Sequence, residues 1–240
     1  MKVAILIPTT TKNTKFKKLD DTHLFKKCLP SLLNTLNPNH KYKLYLAIDD
    51  DDKILQKLTS KKKLLNRDTY KRINKNIKLE VEIMSTKGIS KGNVVAMWNM
   101  MFKKAYDDLN DYFIQQGDDI VYHNQYWLDY CIKYLELNKN IGVSAPIDLN
   151  NQRILTQSVV SREHMDIFNN YYPEELKNWY CDDWITQVYS NNFIYKTEQA
   201  LTNVGGKPRY TPENDKELCD KLVKRDKIKL KSYLNNICNI

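Results

Sequence analysis

Short apolar runs alternate with segments of helical period through the first half of this chain, and that alternation is what most narrows its fold. Val3-Ala4-Ile5-Leu6-Ile7 is closed by Pro8 and three threonines, and Leu24, Cys28, Leu29, Leu32, Leu33 and Leu36 then follow at helical spacing. Residues 43–48 read as a second strand, which runs straight into Asp49-Asp50-Asp51-Asp52 before another helix. Ile77, Leu79, Val81 and Ile83 alternate with polar residues, the pattern of a half-exposed third strand. Gly88 and Gly92 mark a loop that opens a long helix with Val94, Met97, Trp98, Met101, Phe102 and Ala105 as its apolar stripe. Residues 112–116 form the next, buried strand. Repeated strand and helix units of this kind predict an α/β fold, a sheet flanked by helices.

The fourth strand delivers Gly117-Asp118-Asp119. Adjacent carboxylates at the carboxyl edge of an open α/β sheet lie where such sheets bind ligands, and two hard anionic donors suit a divalent cation carrying phosphates. Beyond them the pattern changes. A helix is expected over 123–138, strands over 141–145 and 154–160, a helix from 182 to 189, and a charged helix over 212–234. Gly205-Gly206-Lys207-Pro208-Arg209 precedes that last helix as a flexible basic loop. No Gly/Pro/Ser-rich linker divides the 240 residues, so a single domain with two abutting halves is expected, about 1–125 and 126–240.

The excess of 38 basic over 29 acidic residues, net +9, favours anionic partners, among them nucleotide phosphates, nucleic acid or an anionic membrane surface. Runs such as 61–63 and the lysines of 224–231 read as solvated helix faces. The five cysteines are never spaced as Cys-x-x-Cys, which argues against a zinc site or a disulfide framework. The first apolar run is too short for a signal peptide and no stretch is long enough to span a bilayer. A cytoplasmic protein, with at most peripheral membrane contact, is the expectation.

The ordered set Ala4-Ile5-Leu6-Ile7-Pro8-Thr9, Leu46-Ala47-Ile48-Asp49-Asp50, the helix carrying Gly92 to Asn99, the strand ending in aspartates and Cys181-Asp182-Asp183-Trp184 resembles the GT-A glycosyltransferases. The likeness is to the nucleotide-sugar-dependent enzymes of the large family 2 type, including small ones encoded by large DNA viruses, which would place the enzyme in host cytoplasm. It implies a Rossmann-like, mixed and mainly parallel sheet, and transfer of a sugar from a nucleoside-diphosphate sugar, UDP-sugar favoured, to a hydroxyl of a glycan or glycoprotein. By that resemblance Pro8 and Thr9 touch the nucleoside, and Asp49 or Asp50 accepts from base or ribose, as an ionised carboxylate can. Asp51 and Asp52 read instead as helix caps. Lys91, Gly92 and Asn99 fall near the nucleotide.

The family's Asp-x-Asp metal motif aligns with Gly117, Asp118 and Asp119, so its first position is lost. Asp119 is then the expected Mn²⁺ or Mg²⁺ ligand, with Asp118 on ribose or on the metal through water. Asp183, with Asp182 beside it, matches the general base of inverting members. Trp179 and Trp184 are candidate sugar platforms, His164 a substrate contact, and Lys207 and Arg209 parts of a lid over the diphosphate.

Three rivals are weaker. A phosphotransferase or receiver-like domain could use acids after a strand, such as Asp49 and Asp50, but would not explain Asp118, Asp119, Asp182 and Asp183 appearing in order. A sugar-phosphate nucleotidyltransferase would need a glycine-rich phosphate loop between Pro8 and Leu24, where the sequence has no glycine. A nucleic-acid-binding module is compatible with the charge alone, and no motif supports it.

Overall fold

The computed structural model describes residues 1–58 and 76–238. Among these residues eight strands form one mixed sheet in the order β3-β2-β1-β4-β7-β6-β8-β5. β1 (Lys2–Thr9), β2 (Lys41–Ile48), β3 (Lys78–Ser85) and β4 (Tyr112–Gln115) run parallel, while β7 (Ser158–Ser161) joins β4 antiparallel. β6 (Val143–Asp148), β8 (Ile194–Asn203) and β5 (Ile120–Tyr122) complete the other half. One sheet therefore runs through both halves of the chain.

β1 is buried along both faces, which is why its apolar run is continuous rather than alternating. Val3, Ile5 and Ile7 pack with α1 (Leu29–Thr35) and α3 (Trp127–Leu137); Ala4 and Leu6 pack with α2 (Val94–Asp107), α5 (Cys181–Phe193) and α6 (Lys216–Cys238). A short helix, α4 (Glu163–Phe168), joins the second cluster. A π-helical turn over Leu24–Cys28 runs straight into α1, Leu29 N–H donating to Leu24 O, and Pro30 stands at the junction, where it has no N–H to continue the ladder.

The register carries the function. Thr9 lies opposite Ile48, so β1 and β2 end level, while β4 stops at Gln115 opposite Leu6, three residues short, and the residues that follow bring Asp118 to Thr9 at the end of β1. The chain runs outward from β1 to β2 and β3 on one side and resumes at β4 on the other. The β1/β4 seam is thus the topological switch point, where open α/β sheets leave a crevice.

Some expectations shift. The helix expected after Asp52 appears within the described residues as one 3-10 turn over Leu55–Lys57, and the lysines of 61–63 lie outside them. β8, ten residues long, has no counterpart in the sequence reading. Cys28, Cys131, Cys181 and Cys219 are buried free thiols. No helix among the described residues is long and apolar enough to cross a membrane.

Candidate functional site

A cavity of 340 Å³ opens at the switch point, walled by the ends of β1, β2 and β4, the start of α2, the Trp179 loop and the segment 203–212 after β8. Pro8, Thr9, Asp49, Gly92, Asp118, Asp119, Trp179, Lys207 and Arg209 all line it, as the sequence reading grouped them. Tyr210, Trp98, Asn178 and Asn203 line it too and were not anticipated as site residues.

Asp49 is 1 % exposed at the end of β2; Oδ2 accepts from the Tyr210 hydroxyl, and buried Oδ1 has no partner among the described residues. A buried carboxylate oxygen without a donor is costly, so this atom is a ready acceptor for a ligand. Across the seam, Asp118 accepts from Thr9 Oγ1 and from Arg209, Nη1 at 2.7 Å and Nη2 at 2.5 Å. The same Nη2 lies 3.5 Å from Asp119 Oδ2. Burial and the neighbouring Asp118 charge push the Asp119 carboxyl upward, with Arg209 opposing them.

Two glycines shape this carboxylate pair. A Cβ on Gly117 would stand 2.7 Å from Asp119 Oδ1, and one on Gly205 would stand 1.7 Å from Oδ2. An aspartate in the first position of Asp-x-Asp would therefore collide with Asp119 as it is placed here, the physical counterpart of the motif's departure. Gly92 has φ +78°, and a Cβ there would press on the Tyr210 ring at 3.1 Å, so both backbone and packing require glycine.

The donor chemistry fits a divalent cation. Asp118 and Asp119 offer hard oxygens, and a guanidinium already stands between them as a cation in that place. Among the described residues no three His, Cys, Asp or Glu side chains converge on a metal position, so the remaining ligands would be phosphate oxygens and water.

Asp182 and Asp183 open α5 beyond the cavity's lining. Asp183 is ion-paired with Arg153 Nη1 at 2.5 Å. Asp182 has no ion pair described; the Cys181 thiol lies 3.6 Å from its Oδ1. Its pKa rises to about 7, chiefly through burial, which outweighs the helix N-terminus that would lower it. Asp148 raises both Asp119 and Asp182, and so acts on the two acidic groups at once.

Several expected contacts are not made. Asn99 is buried in a two-way bond with the Tyr172 backbone, donating to its O at 2.8 Å and accepting from its N at 2.9 Å; it clamps α2 to the 169–173 segment rather than reaching nucleotide. Trp184 is fully buried with Nε1 donating to Asp226, so it is core and not a sugar platform. His164 is fully buried between the Tyr171 carbonyl and the Tyr189 hydroxyl, with its pKa held down to about 4 by burial, so it is a neutral packing residue. The carbonyl can only accept, which places the ring proton on Nε2. Lys91 and Asp50 pair with each other outside the cavity, Lys91 reaching Asp51 as well at 3.0 Å. Asp52 caps the Leu55–Lys57 turn through Ile54 and Leu55 N–H, and also binds Thr11.

No protein-family model and no curated protein matches this chain. Solved structures do. The crystal structure of S. aureus TarS superposes with a TM-score of 0.55 at 14% identity, over 95% of this chain and 43% of that one. GalNAc-T7, crystallised with UDP, GalNAc and Mn²⁺, superposes with a TM-score of 0.57 at 10% identity, over 84% and 43%. The chain thus spans less than half the length of either structure. At such identities the likeness is one of architecture: the mixed sheet, with its crevice at the β1/β4 seam, is the GT-A fold of these glycosyltransferases.

Proposed function

We propose that this protein is a glycosyltransferase moving a sugar from a nucleoside-diphosphate sugar, UDP-sugar favoured, to a hydroxyl of a glycan or glycoprotein. The observation that carries the reading is the convergence of Asp49, Asp118 and Asp119 on one cavity at the switch point of a GT-A sheet.

Nucleoside is held by the ends of β1 and β2, with Asp49 Oδ1 free to accept an N–H of the base or a ribose hydroxyl. Asp119 and Asp118 would hold Mn²⁺ or Mg²⁺, which when bound supplies positive charge to the departing diphosphate. Lys207 at the cavity wall adds a cation for phosphate. Trp179, half exposed on the same wall, offers a face for sugar or acceptor.

Of the acidic pair on α5, Asp182 suits the base better. It is not spent on a guanidinium as Asp183 is, and a carboxylate titrating near 7 takes a proton efficiently at neutral pH. It accepts the acceptor's hydroxyl proton as that oxygen bonds to the anomeric carbon and the bond to diphosphate breaks, inverting the centre. The 1–125 half serves the nucleotide and the remainder the acceptor, with the 203–212 segment crossing back over the donor's cavity.

A thermal-shift panel of UDP-, GDP- and dTDP-sugars with and without Mn²⁺, followed by donor hydrolysis, tests this. One sugar nucleotide is expected to stabilise the protein, and Asp119→Ala to abolish the metal-dependent part of the shift. Absence of any shift and any hydrolysis across the panel overturns the reading.

A further inference from the structure

The segment between β8 and α6 fills the place it was expected to cover. Arg209 spans Asp118 and Asp119, the pair that would hold a cation, and Tyr210 donates to Asp49, the carboxylate that would hold nucleoside. The two residues are consecutive, and so are the two functions they occupy. Other contacts keep them there. Asn13 Nδ2 donates to the Arg209 carbonyl at 2.7 Å, Lys12 lies over the Tyr210 ring at 4.9 Å, and the Tyr210 side chain rests on the bare Cα of Gly92. Upstream, Val204 N–H donates to the Asp119 carbonyl at 2.9 Å.

From these contacts we infer that the Arg209-Tyr210 strap is an intramolecular mimic of the cation-bound nucleotide, an autoinhibitory element that the donor must displace. The inference rests on the glycosyltransferase reading for the identity of the competing ligand. Its physical basis is charge and hydrogen-bond exchange. Asp118, Asp119 and Arg209 together carry a net charge of about −1 when all are ionised. With the strap displaced the two carboxylates carry about −2, which a divalent cation neutralises, whereas a diphosphate of about −2 alone meets like charge. The nucleotide is therefore expected to bind with the cation and poorly without it, and the cation to enter by displacing Arg209 from the carboxylate pair. The phenol hydroxyl on Asp49 is replaced in the same step by a donor from base or ribose.

The effect of the strap is a reduced apparent affinity, because only the open fraction binds. Arg209→Gln removes the competing charge, and Tyr210→Phe removes the hydroxyl while keeping the ring on Gly92. Binding of Mn²⁺ alone, followed by the paramagnetic resonance of free Mn²⁺, is expected to be weak in the unaltered protein and about tenfold tighter in Arg209→Gln; UDP with Mn²⁺ should tighten about tenfold in Tyr210→Phe. Trypsin gives a second readout independent of turnover. The Arg209–Tyr210 bond should be cut faster when UDP and Mn²⁺ are added to the unaltered protein, since they free the strap.

Protection of that bond by UDP and Mn²⁺ would show a lid that closes on the donor, and would overturn the inference. So would Mn²⁺ binding that is unchanged or weaker in Arg209→Gln. If Arg209→Gln gains Mn²⁺ but UDP binds neither form, the tethered counter-cation stands and the sugar-nucleotide reading falls.

Discussion

Replacing Asp182 with asparagine should make the protein more stable at alkaline pH and inactive at every pH. The Asp182 carboxyl titrates near 7 in the fold against 3.8 in the unfolded chain, because burial penalises its charge. Between those two values the folded state binds a proton that the unfolded state has lost, so stability falls as pH rises through that window and levels off above about 7. Roughly three pH units correspond to about 4 kcal/mol, which partial access to water reduces to about 2–3. The asparagine keeps the shape of the side chain without its charge. The variant should therefore melt about 5–10 °C higher than the parent at pH 8.5, with the difference shrinking toward pH 4. With Asp182 as the proposed base, transfer would need its ionised form, and the parent's rate should climb to a plateau with an apparent pKa near 7 while the variant shows no transfer. Calorimetric melting across pH 4 to 9 and a pH–rate profile with the best sugar nucleotide measure both. Equal melting temperatures at pH 8.5, or substantial transfer by Asp182→Asn, would refute the assignment of Asp182 as a partly buried proton acceptor.

Two further changes separate the site from its scaffold. Gly205→Ala places a methyl where Asp119 Oδ2 now sits, so the carboxylate must rotate away; the fold should survive with a small change in melting temperature while Mn²⁺-dependent donor binding drops at least about tenfold, and titration calorimetry that finds normal binding would count against Asp119 as the cation's ligand. Asn99→Ala removes both bonds to the Tyr172 backbone and leaves a buried N–H and C=O unpaired. It should cost about 2–4 kcal/mol in urea unfolding, and donor affinity in the fraction still folded should be unchanged if Asn99 is scaffold only.

The positions of Asp49 and Asp118 were legible because an apolar run that gives way to polar residues and an acid marks a strand's end, Asp49 directly after Ile48 and Asp118 shortly after Gln115, and parallel strands of one sheet finish toward one edge. What each site residue touches was much less so. Trp179 and Trp184 look alike in sequence, yet one lies half exposed in a loop on the cavity wall and the other is turned inward one helical turn later, onto Asp226. His164 and Asn99 are polar residues of the kind sites use, and here both are core residues whose hydrogen bonds are met by backbone carbonyls, a backbone N–H and a tyrosine hydroxyl. The longest strand, β8, escaped notice because Lys196, Glu198 and Gln199 interrupt its apolar pattern, and its place is fixed by pairing with β6 and β5.

Local chemistry therefore determined the α/β succession, the strand ends and the three carboxylates at them, since periodicity and chain stiffness act over a few residues. Only the tertiary structure decided that Gly117 and Gly205 make room for Asp119, that Arg153 takes Asp183 and leaves Asp182, and that Arg209 and Tyr210 lie on carboxylates 91 and 161 residues away. Those outcomes depend on burial and on charges brought together across the sheet, and neither quantity is carried by neighbours in sequence.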